Sequence, residues 1–358
     1  MKDSVKKSRV TIHDVANEAN VSIATVSRVI NGNYYVGPDV TRRVHRAIAK
    51  LDYYPNSVAR SLKVASTHMI AFIVSDISNA YFNFVARAIE DAIAPHNYSL
   101  IVCSTEGHAE SELSHVRGLL GRNVDGFVIN TSGSNDDFIA LTSRSVPTVL
   151  LHRRIKPPDF EGDLVDSGNR NGGAMLAEFL IELGHAEIGV INGPLNLSSG
   201  RERFAGFKAA FRSRRGIRVT SKYPYLYAGD FTVASGYTGM EYLLSQTPQI
   251  TGVVVMNNAM AVGALRYLRE KRIRVPQDLS IVSFGDIINW DIMYVRPTIV
   301  TLDPVTVGSR AAEFLLSRIQ DPHHSRREYI YEPVLRIGDS TGPPRRSERI
   351  QPVDSSSE

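Results

Sequence analysis

The sequence has 358 residues, more than one typical domain, and 43% of them are hydrophobic, which is enough for substantial cores. Residues 1–63 carry 11 Lys and Arg against 5 Asp and Glu, whereas residues 64–358 carry 30 against 32, so the positive charge is concentrated at the start. The single cysteine, Cys103, excludes an internal disulfide, and the lack of a signal-like or 18-residue apolar run predicts a cytoplasmic protein with no membrane partner.

The first predicted elements are two short helices joined by a tight turn. Thr11 can cap a helix that runs to about Ala19, with Asp14 reaching back, and Asn20 tolerates the left-handed conformation that ends it. Ser22 can then cap a second helix that leaves one set of side chains exposed: Ile23, Ala24, Ser27, Arg28 and Asn31. This pattern predicts a helix-turn-helix whose second helix enters the DNA major groove.

Capping signals occur in any helical protein, so DNA binding needs further support. The excess of cations in this region places positive charge where a phosphate backbone would lie. Ile23 has no core to fill and can touch a thymine methyl group, while Arg28 is the expected reader of a guanine. The predicted contacts in this region are Thr11, Ser22, Ile23, Ala24, Thr25, Ser27, Arg28 and Asn31.

A third helix is predicted from Pro38, which suits a first helical turn, to about Leu51. Its arginines, Arg42, Arg43 and Arg46, fit phosphate contacts and a solvated surface equally well. The following segment, residues 56–63, is too short to form a stable helix alone in water.

Residues 10–62 resemble the DNA-binding headpiece of the lactose/galactose-repressor family of bacterial transcription factors. Val10-Thr11 matches the family's start, residues 21–31 match "VS..TVSRV.N", and residues 53–62 match the hinge pattern "Y.PN..AR.L". The resemblance implies a hinge helix that orders when two copies pair on DNA, with contacts from Asn56, Ala59 and Leu62 and with Leu62 as a minor-groove wedge. It also implies a homodimer that reads a near-palindromic double-stranded operator.

From residue 68 onward, apolar runs alternate with helical patterns. The predicted strands are 69–74, 99–103, 126–129, 148–151, 188–191, 252–256 and 280–284. Such alternation is typical of α/β folds with doubly wound parallel sheets, and this many strands requires two sheets. The resemblance implies a two-lobed, periplasmic-binding-protein-like domain behind a small all-α helix-turn-helix headpiece, with a ligand cleft between the lobes.

The predicted organisation follows from these segments. It comprises a headpiece (1–55), a hinge helix and linker (56–67), an effector-binding domain (68–338) and a disordered tail (339–358). Lobe one is predicted at about 68–165 and 298–322, and lobe two at about 166–297 and 323–338, with residues 297–303 as the return crossing. The tail prediction rests on its Pro, Ser and Arg content and its lack of apolar periodicity.

Ligands of parallel sheets bind beyond the carboxyl ends of the strands, where aromatic, amide and arginine side chains follow here. By position and by the family's effector contacts, the predicted effector-binding residues are Tyr81, Phe82, Arg203, Phe231, Asn257, Asp286 and Trp290. Packing remains the alternative role for Phe231 and Trp290, and helix capping the alternative for Asp286. The loop 165–173 does not align uniquely with the family, so Asp166 or either of its asparagines could contribute.

These residues suit a hydroxyl-rich or anionic molecule, and we expect a sugar or a sugar acid. Asn258 and Gly285 stand where the family usually has acidic residues, which tilts the prediction slightly toward an anion because fewer negative groups would repel it.

No enzyme motif is evident in the sequence. It lacks the glycine patterns of dinucleotide and phosphate-transfer enzymes, and His13, His152 and His185 lack metal-ligand spacing, so we expect no cofactor and no metal. The sequence predicts a repressor whose operator affinity a small molecule controls. The alternative is an intracellular sugar-binding protein or a sugar-active enzyme fused to an unrelated helical head.

Overall fold

The computed structural model describes residues 10–31, 34–54, 66–220, 222–246 and 249–345. The chain divides into two units, Met1–Thr67 and His68–Glu358. No helix among the described residues has both the length and the apolar character needed to cross a membrane.

The described part of the first unit contains α1 (Ile12–Ala19), α2 (Ile23–Asn31) and α3 (Pro38–Leu51). The backbone N–H of Thr11 donates to the carboxylate of Asp14 at 2.8 Å, and Asn20 ends α1 with a φ of 50°. Ser22 caps α2, because its Oγ accepts the N–H of Thr25 at 3.1 Å. The predicted end of α1 near Ala19, the cap of α2 at Ser22 and the bounds of α3 are confirmed.

The three helices share one small core. Val15 of α1, Val26 of α2 and Val44 of α3 are fully buried, and Tyr53 closes the cluster after α3. Burial of one face of α2 holds this short helix in place, since a helix of its length is marginal alone. The opposite face of α2 is left for solvent or a partner.

The described part of the second unit contains two six-stranded sheets with helices between the strands. The strands are β1 (Met69–Val74), β2 (Ser99–Ser104), β3 (Gly126–Ile129), β4 (Thr148–Leu151), β5 (Asp163–Asp166), β6 (Ile188–Asn192), β7 (Leu226–Ala228), β8 (Gly252–Val255), β9 (Ser280–Phe284), β10 (Thr298–Thr301), β11 (Glu328–Ile330) and β12 (Val334–Arg336). The helices are α4 (Ala80–Ile93), α5 (Ala109–Leu120), α6 (Asp136–Ser143), α7 (Asn169–Glu182), α8 (Ser198–Arg215), α9 (Val233–Gln246), α10 (Asn258–Glu270) and α11 (Pro304–Gln320). Two short 3-10 helices, Ala94–His96 and Trp290–Ile292, complete the elements.

The first sheet has the order β11-β5-β4-β3-β1-β2 and is parallel throughout. The second has the order β12-β10-β9-β8-β6-β7 and is parallel except for β12, which runs antiparallel to β10. The predicted fold class of two doubly wound parallel sheets is confirmed.

Strand β1 shows how the sequence produces this architecture. Ile70 and Phe72 pack with residues of α4 and α11 on one face of the sheet, whereas Ala71 and Ile73 pack with residues of α5 and α6 on the other. All four side chains are fully buried. A continuous apolar run is therefore required, because both faces of a parallel sheet are covered by helices.

The predicted lobe bounds need two corrections. Residues 298–301 form β10 beside β9, so they belong to lobe two and not to lobe one, and residues 328–330 form β11 beside β5, so they belong to lobe one and not to lobe two. Buried Ile299 and Val300 complete the second core before the chain crosses at residues 302–303. The predicted crossing at 297–303 therefore starts too early, because it includes strand β10.

The predicted disordered tail is wrong for residues 339–345. Ser340 is fully buried; its carbonyl accepts the N–H of Ile281 at 3.0 Å and its Oγ accepts the N–H of Thr298 at 2.7 Å. These bonds satisfy backbone groups at the edge of the second sheet, which polar residues without an apolar pattern can do. Residues 346–358 lie outside the described part of the chain.

Candidate functional sites

The exposed face of α2 carries the predicted base-reading residues. Ile23 is 39% exposed, and Ala24 and Arg28 are also exposed. The Arg28 guanidinium carbon lies 5.6 Å from the centre of the Tyr34 ring, which supports the side chain beside the helix. An exposed isoleucine next to a supported arginine is a surface that can contact base edges.

Other predicted DNA contacts have local roles in the headpiece. Thr11 and Ser22 are exposed helix caps, and the Thr25 hydroxyl lies 2.8 Å from the Ser22 hydroxyl. Ser27 is half-buried on α2. Asn31 is the last residue of α2, and its side chain is outside the described part, as are Asn56, Ala59 and Leu62.

A cavity of about 710 Å³ lies between the two lobes of the second unit, at the carboxyl ends of the strands. Its walls come from segments after strands of both sheets, in the position expected for ligands of parallel α/β folds. Residues that line it include Asp76, Asn79, Tyr81, Phe82, Glu106, Asn130, His152, Arg153, Ser199, Arg203, Asp230, Phe231, Asn257, Asn258 and Phe284.

Arg203, on α8, is buried, with only 7% of its surface exposed, and three neighbouring groups contact its guanidinium. Its Nε donates to the Asn169 side-chain oxygen at 2.7 Å, and its Nη1 donates to the Met256 carbonyl at 2.5 Å. The guanidinium carbon lies 3.7 Å from the centre of the Phe284 ring. The group is therefore fixed in place before any ligand binds.

A second buried arginine, Arg153, lies beside it and is also 7% exposed. Its Nη1 donates to the Thr131 carbonyl at 2.5 Å. The Phe231 ring is 5.6 Å from the Arg153 guanidinium carbon and 5.7 Å from that of Arg203, so one aromatic ring serves both cations. Gly193 makes room for this ring, because a Cβ atom there would lie 2.0 Å from it.

Neither arginine has an ion-pair partner within 4.0 Å among the described residues. Glu112 acts on Arg153, and Asp166 and Glu202 act on Arg203, from longer range. Glu112 already accepts hydrogen bonds of 2.6–2.9 Å from neighbouring groups. Burial and repulsion by Arg153 lower the pKa of Arg203 to about 9, and burial lowers the pKa of Arg153 to about 10, so both remain charged at neutral pH.

His152 lies next to the two arginines and is neutral. Its Nδ1 is 2.6 Å from the Ser167 hydroxyl, and burial together with the charges of Arg203 and Arg153 lowers its pKa to about 3. The His152 Nε2 and the Tyr81 hydroxyl are buried without a hydrogen-bond partner in the described structure. Buried polar groups are rarely left unpaired, so both atoms are available to bind a ligand in the cavity.

The backbone is strained at two residues that line the cavity. His152 has a φ of 62° and Phe231 a φ of 72°, in the left-handed region that favours glycine. Strain of this kind persists only where the surrounding structure enforces it, and it concentrates at binding sites.

Five predicted effector residues line the cavity: Tyr81, Phe82, Arg203, Phe231 and Asn257. Asn257 also caps α10, because its side-chain oxygen accepts the N–H of Met260 at 3.0 Å.

Asp286 and Trp290 do not line this cavity, and each has a structural contact instead. The Asp286 carboxylate accepts the N–H of Leu302 at 2.7 Å and secures the chain where it leaves β10. The Trp290 ring N–H donates to the Pro297 carbonyl at 2.6 Å, and the ring packs against the second core.

His152 and Arg153 were not among the predicted effector-binding residues, although they directly follow a predicted strand. Their position after β4 is the signal that could have identified both. In the ambiguous loop, Asp166 accepts the N–H of Gly168 at 2.9 Å, and Asn169 accepts from Arg203. Asn169 is thus a positioning residue behind the cavity wall.

The sequence matches known proteins in both units. Residues 11–56 match the family described as bacterial regulatory proteins, lacI family, and residues 177–341 match the periplasmic binding protein-like domain. The transcriptional repressor PurR of Aliivibrio salmonicida (strain LFI1238) is 31% identical, over 91% of this chain and 97% of its own length. The ribose operon repressor of Escherichia coli (strain K12) is 32% identical, over 91% of this chain and 98% of its own length.

A solved structure extends the comparison to three dimensions. The lac repressor dimer bound to operator and the anti-inducer ONPF superposes with a TM-score of 0.80 at 27% identity, over 93% of this chain and 99% of that chain. These relatives are repressors, in agreement with the expectation that the protein is not an enzyme. Since they match the headpiece and the lobes together, the alternative of an unrelated helical head falls away. The protein belongs to the lacI family of bacterial regulatory proteins.

Proposed function

We propose that this protein is a cytoplasmic, nucleoid-associated transcriptional repressor whose affinity for operator DNA is set by a sugar or sugar acid bound between its lobes. The observation that carries the proposal is a cavity of about 710 Å³ in the same chain as a helix-turn-helix. Several of its buried polar groups lack a hydrogen-bond partner among the described residues. A polar site of that size suits a small hydroxyl-rich molecule.

The DNA side of the proposal rests on α2. Ile23, Ala24 and Arg28 would contact bases, while the headpiece caps and the half-buried polar residues of α2 would contact phosphates. Two copies would read a near-palindromic operator, as the lac repressor dimer is bound to its operator. The name of the ribose operon repressor supports a sugar as the controlling molecule.

The proposal can be tested with full-length protein and the DNA upstream of its own gene. A gel shift in excess competitor DNA should show a specific complex, and a thermal-shift screen over sugars and sugar acids should find a ligand. At about 100 times its dissociation constant, that ligand should add roughly 2.7 kcal/mol to the free energy of unfolding. A ligand that binds the cavity without changing operator affinity would contradict the proposal.

A further inference from the structure

The buried wall of the cavity carries two positive charges, and neither has an ion-pair partner within 4.0 Å among the described residues. Arg153 and Arg203 are each 7% exposed and share the Phe231 ring. A buried ion that lacks a counter-ion costs several kcal/mol, so proteins pair such groups or reserve them for a ligand. Glu112 interacts electrostatically with Arg153, but its carboxylate already accepts hydrogen bonds from neighbouring N–H and O–H groups.

Several donors remain available on these arginines. Each guanidinium has five N–H groups. Among the described residues, Arg203 uses its Nε and Nη1, and Arg153 uses its Nη1. Both side chains line the cavity, so their remaining N–H groups can bind a ligand there.

Other polar groups in the same wall also lack partners in the described structure. The Tyr81 hydroxyl, the His152 Nε2, the Asn130 side-chain oxygen and the Ser199 hydroxyl are buried and unpaired, and all four residues line the cavity. Hydroxyl groups of a ligand can both donate to and accept from such a set.

The carboxylates of the cavity lie elsewhere. Glu106 and Asp230 are exposed at its rim, and Asp76 is half-buried with its Oδ1 accepting the N–H of Ser78 at 2.8 Å. The cavity is thus positive inside and negative at its mouth. A ligand with one anionic end is favoured when that end points inward.

We propose that the effector is a hydroxyl-rich molecule with a carboxylate or phosphate group, and that this group binds between Arg153 and Arg203. Arg153 is the specificity-determining residue, because a neutral sugar would leave its charge buried and unpaired. This inference rests on the proposed function, since it names the ligand class of the same cavity. Charge-assisted and bidentate hydrogen bonds from a guanidinium suit both kinds of anion.

The test is calorimetry on the full-length protein at constant ionic strength with matched ligands. D-Glucose, D-gluconate and D-glucose 6-phosphate form one set, D-galactose and D-galacturonate a second, and inorganic phosphate is the minimal anion. We expect the anions to bind and their neutral parents not to bind. Comparison of D-gluconate and D-galacturonate with D-glucose 6-phosphate shows whether the site prefers a carboxylate or a phosphate.

Arg153→Gln should weaken anion binding roughly 10- to 100-fold, the loss expected for hydrogen bonds to a charged group. The matched control is Arg214→Gln, which removes an arginine whose side chain is 48% exposed in the last turn of α8, outside the cavity. It should leave the dissociation constants within about twofold. Arg153→Lys, which keeps the charge without the planar fork, should fall between the wild type and Arg153→Gln.

Three results would overturn the inference: neutral sugars that bind as tightly as their acids, equal losses in Arg153→Gln and Arg214→Gln, or no binding of any anion at tens of millimolar. A neutral sugar that changes operator affinity would reject the anionic effector and leave the repressor proposal intact. Tight anion binding that has no effect on operator affinity would support the anionic ligand class and reject the proposed control of operator binding.

Discussion

Arg28 is the exposed side chain of α2 with the greatest capacity to read a base. Because an arginine bound to guanine discriminates by about 1–3 kcal/mol, Arg28→Ala should weaken operator binding by that amount and random-sequence binding much less. Fluorescence anisotropy at fixed salt on both DNAs measures the difference. Lys50→Ala is the control, since Lys50 forms an ion pair with Glu18 at 2.8 Å. This substitution should change the affinity for both DNAs equally. Equal losses for Arg28→Ala would assign Arg28 to the phosphates.

His152 makes folding sensitive to acid. Its pKa is lowered to about 3 in the folded protein, against about 6.5 when unfolded. Below pH 6.5 the unfolded chain therefore takes up a proton that the folded chain does not bind, and stability falls as the pH decreases. The expected contribution is about 1.4 kcal/mol per pH unit between pH 6 and pH 4.

Urea denaturation at a series of pH values measures this slope in the wild type and in His152→Gln. The variant should lose that part of the slope, because glutamine does not titrate. His185, whose pKa is also lowered by burial, remains in both proteins and contributes equally. Identical slopes in the two proteins would show that folding does not lower the pKa of His152.

The role of a single residue could be predicted from the sequence where that role depends on neighbours in the chain. Thr11 and Asn20 were assigned correctly because a cap and its helix adjoin in sequence. Trp290 and Asp286 also lie near strand ends but do not line the cavity, because nearness to a strand end does not reveal which way a loop turns. Arg153 lies in one lobe and Arg203 in the other. Their proximity across the cavity therefore depends on the fold and is not visible in any local sequence pattern.

Helices α7 and α8 approach each other closely through glycines. A Cβ atom at Gly173 would lie 2.2 Å from the Arg203 carbonyl, and one at Gly206 would lie 2.0 Å from the Arg170 carbonyl. Each glycine thus admits the backbone of the opposite helix, as at other close backbone contacts. This contact sets the position of α8, and with it that of the Arg203 guanidinium in the cavity wall.

Gly206→Ala should lower the free energy of unfolding by about 1–3 kcal/mol, because the methyl group would force the two backbones apart. It should also weaken effector binding by displacing Arg203. Gly118→Ala is the matched control: Gly118 is exposed on α5, and the nearest described side-chain atom, Nη1 of Arg122, would lie 3.7 Å from a Cβ atom there. That change should stabilise the protein by up to about 1 kcal/mol through helix propensity. Equal effects of the two substitutions in urea denaturation would contradict close packing at Gly206.

Helices and strands could be predicted where their apolar residues form a long and regular pattern. Strand β1 was found because six apolar residues stand together, whereas β11 and β12 have three residues each and carry no readable period. The lobe bounds failed at the same place, since β10 and β11 belong to different sheets although little more than one helix separates them. Which sheet a short strand joins depends on the packing of distant residues.

The whole molecule carries its two candidate sites in different units: α2 in Met1–Thr67 and the cavity in His68–Glu358. A ligand shifts the binding of DNA only if it has different affinities for two states of the protein. Coupling between binding sites is reciprocal, so an effector that changes operator affinity by a given factor must have its own affinity changed by the same factor on operator.

Residues 56–63, outside the described part of the chain, are predicted from the sequence to form the hinge that transmits this coupling. We expect saturating effector to change the operator dissociation constant by about 5- to 150-fold, and saturating operator to change the effector constant equally. Ala59→Gly, which weakens a short helix by up to about 1 kcal/mol, should reduce operator affinity and shrink this factor in both directions. Effector binding to the free protein should not change, because the substitution lies outside the cavity. Calorimetry with and without operator DNA measures the factor, and an undiminished factor in Ala59→Gly would mean that the coupling does not depend on helix formation at residue 59.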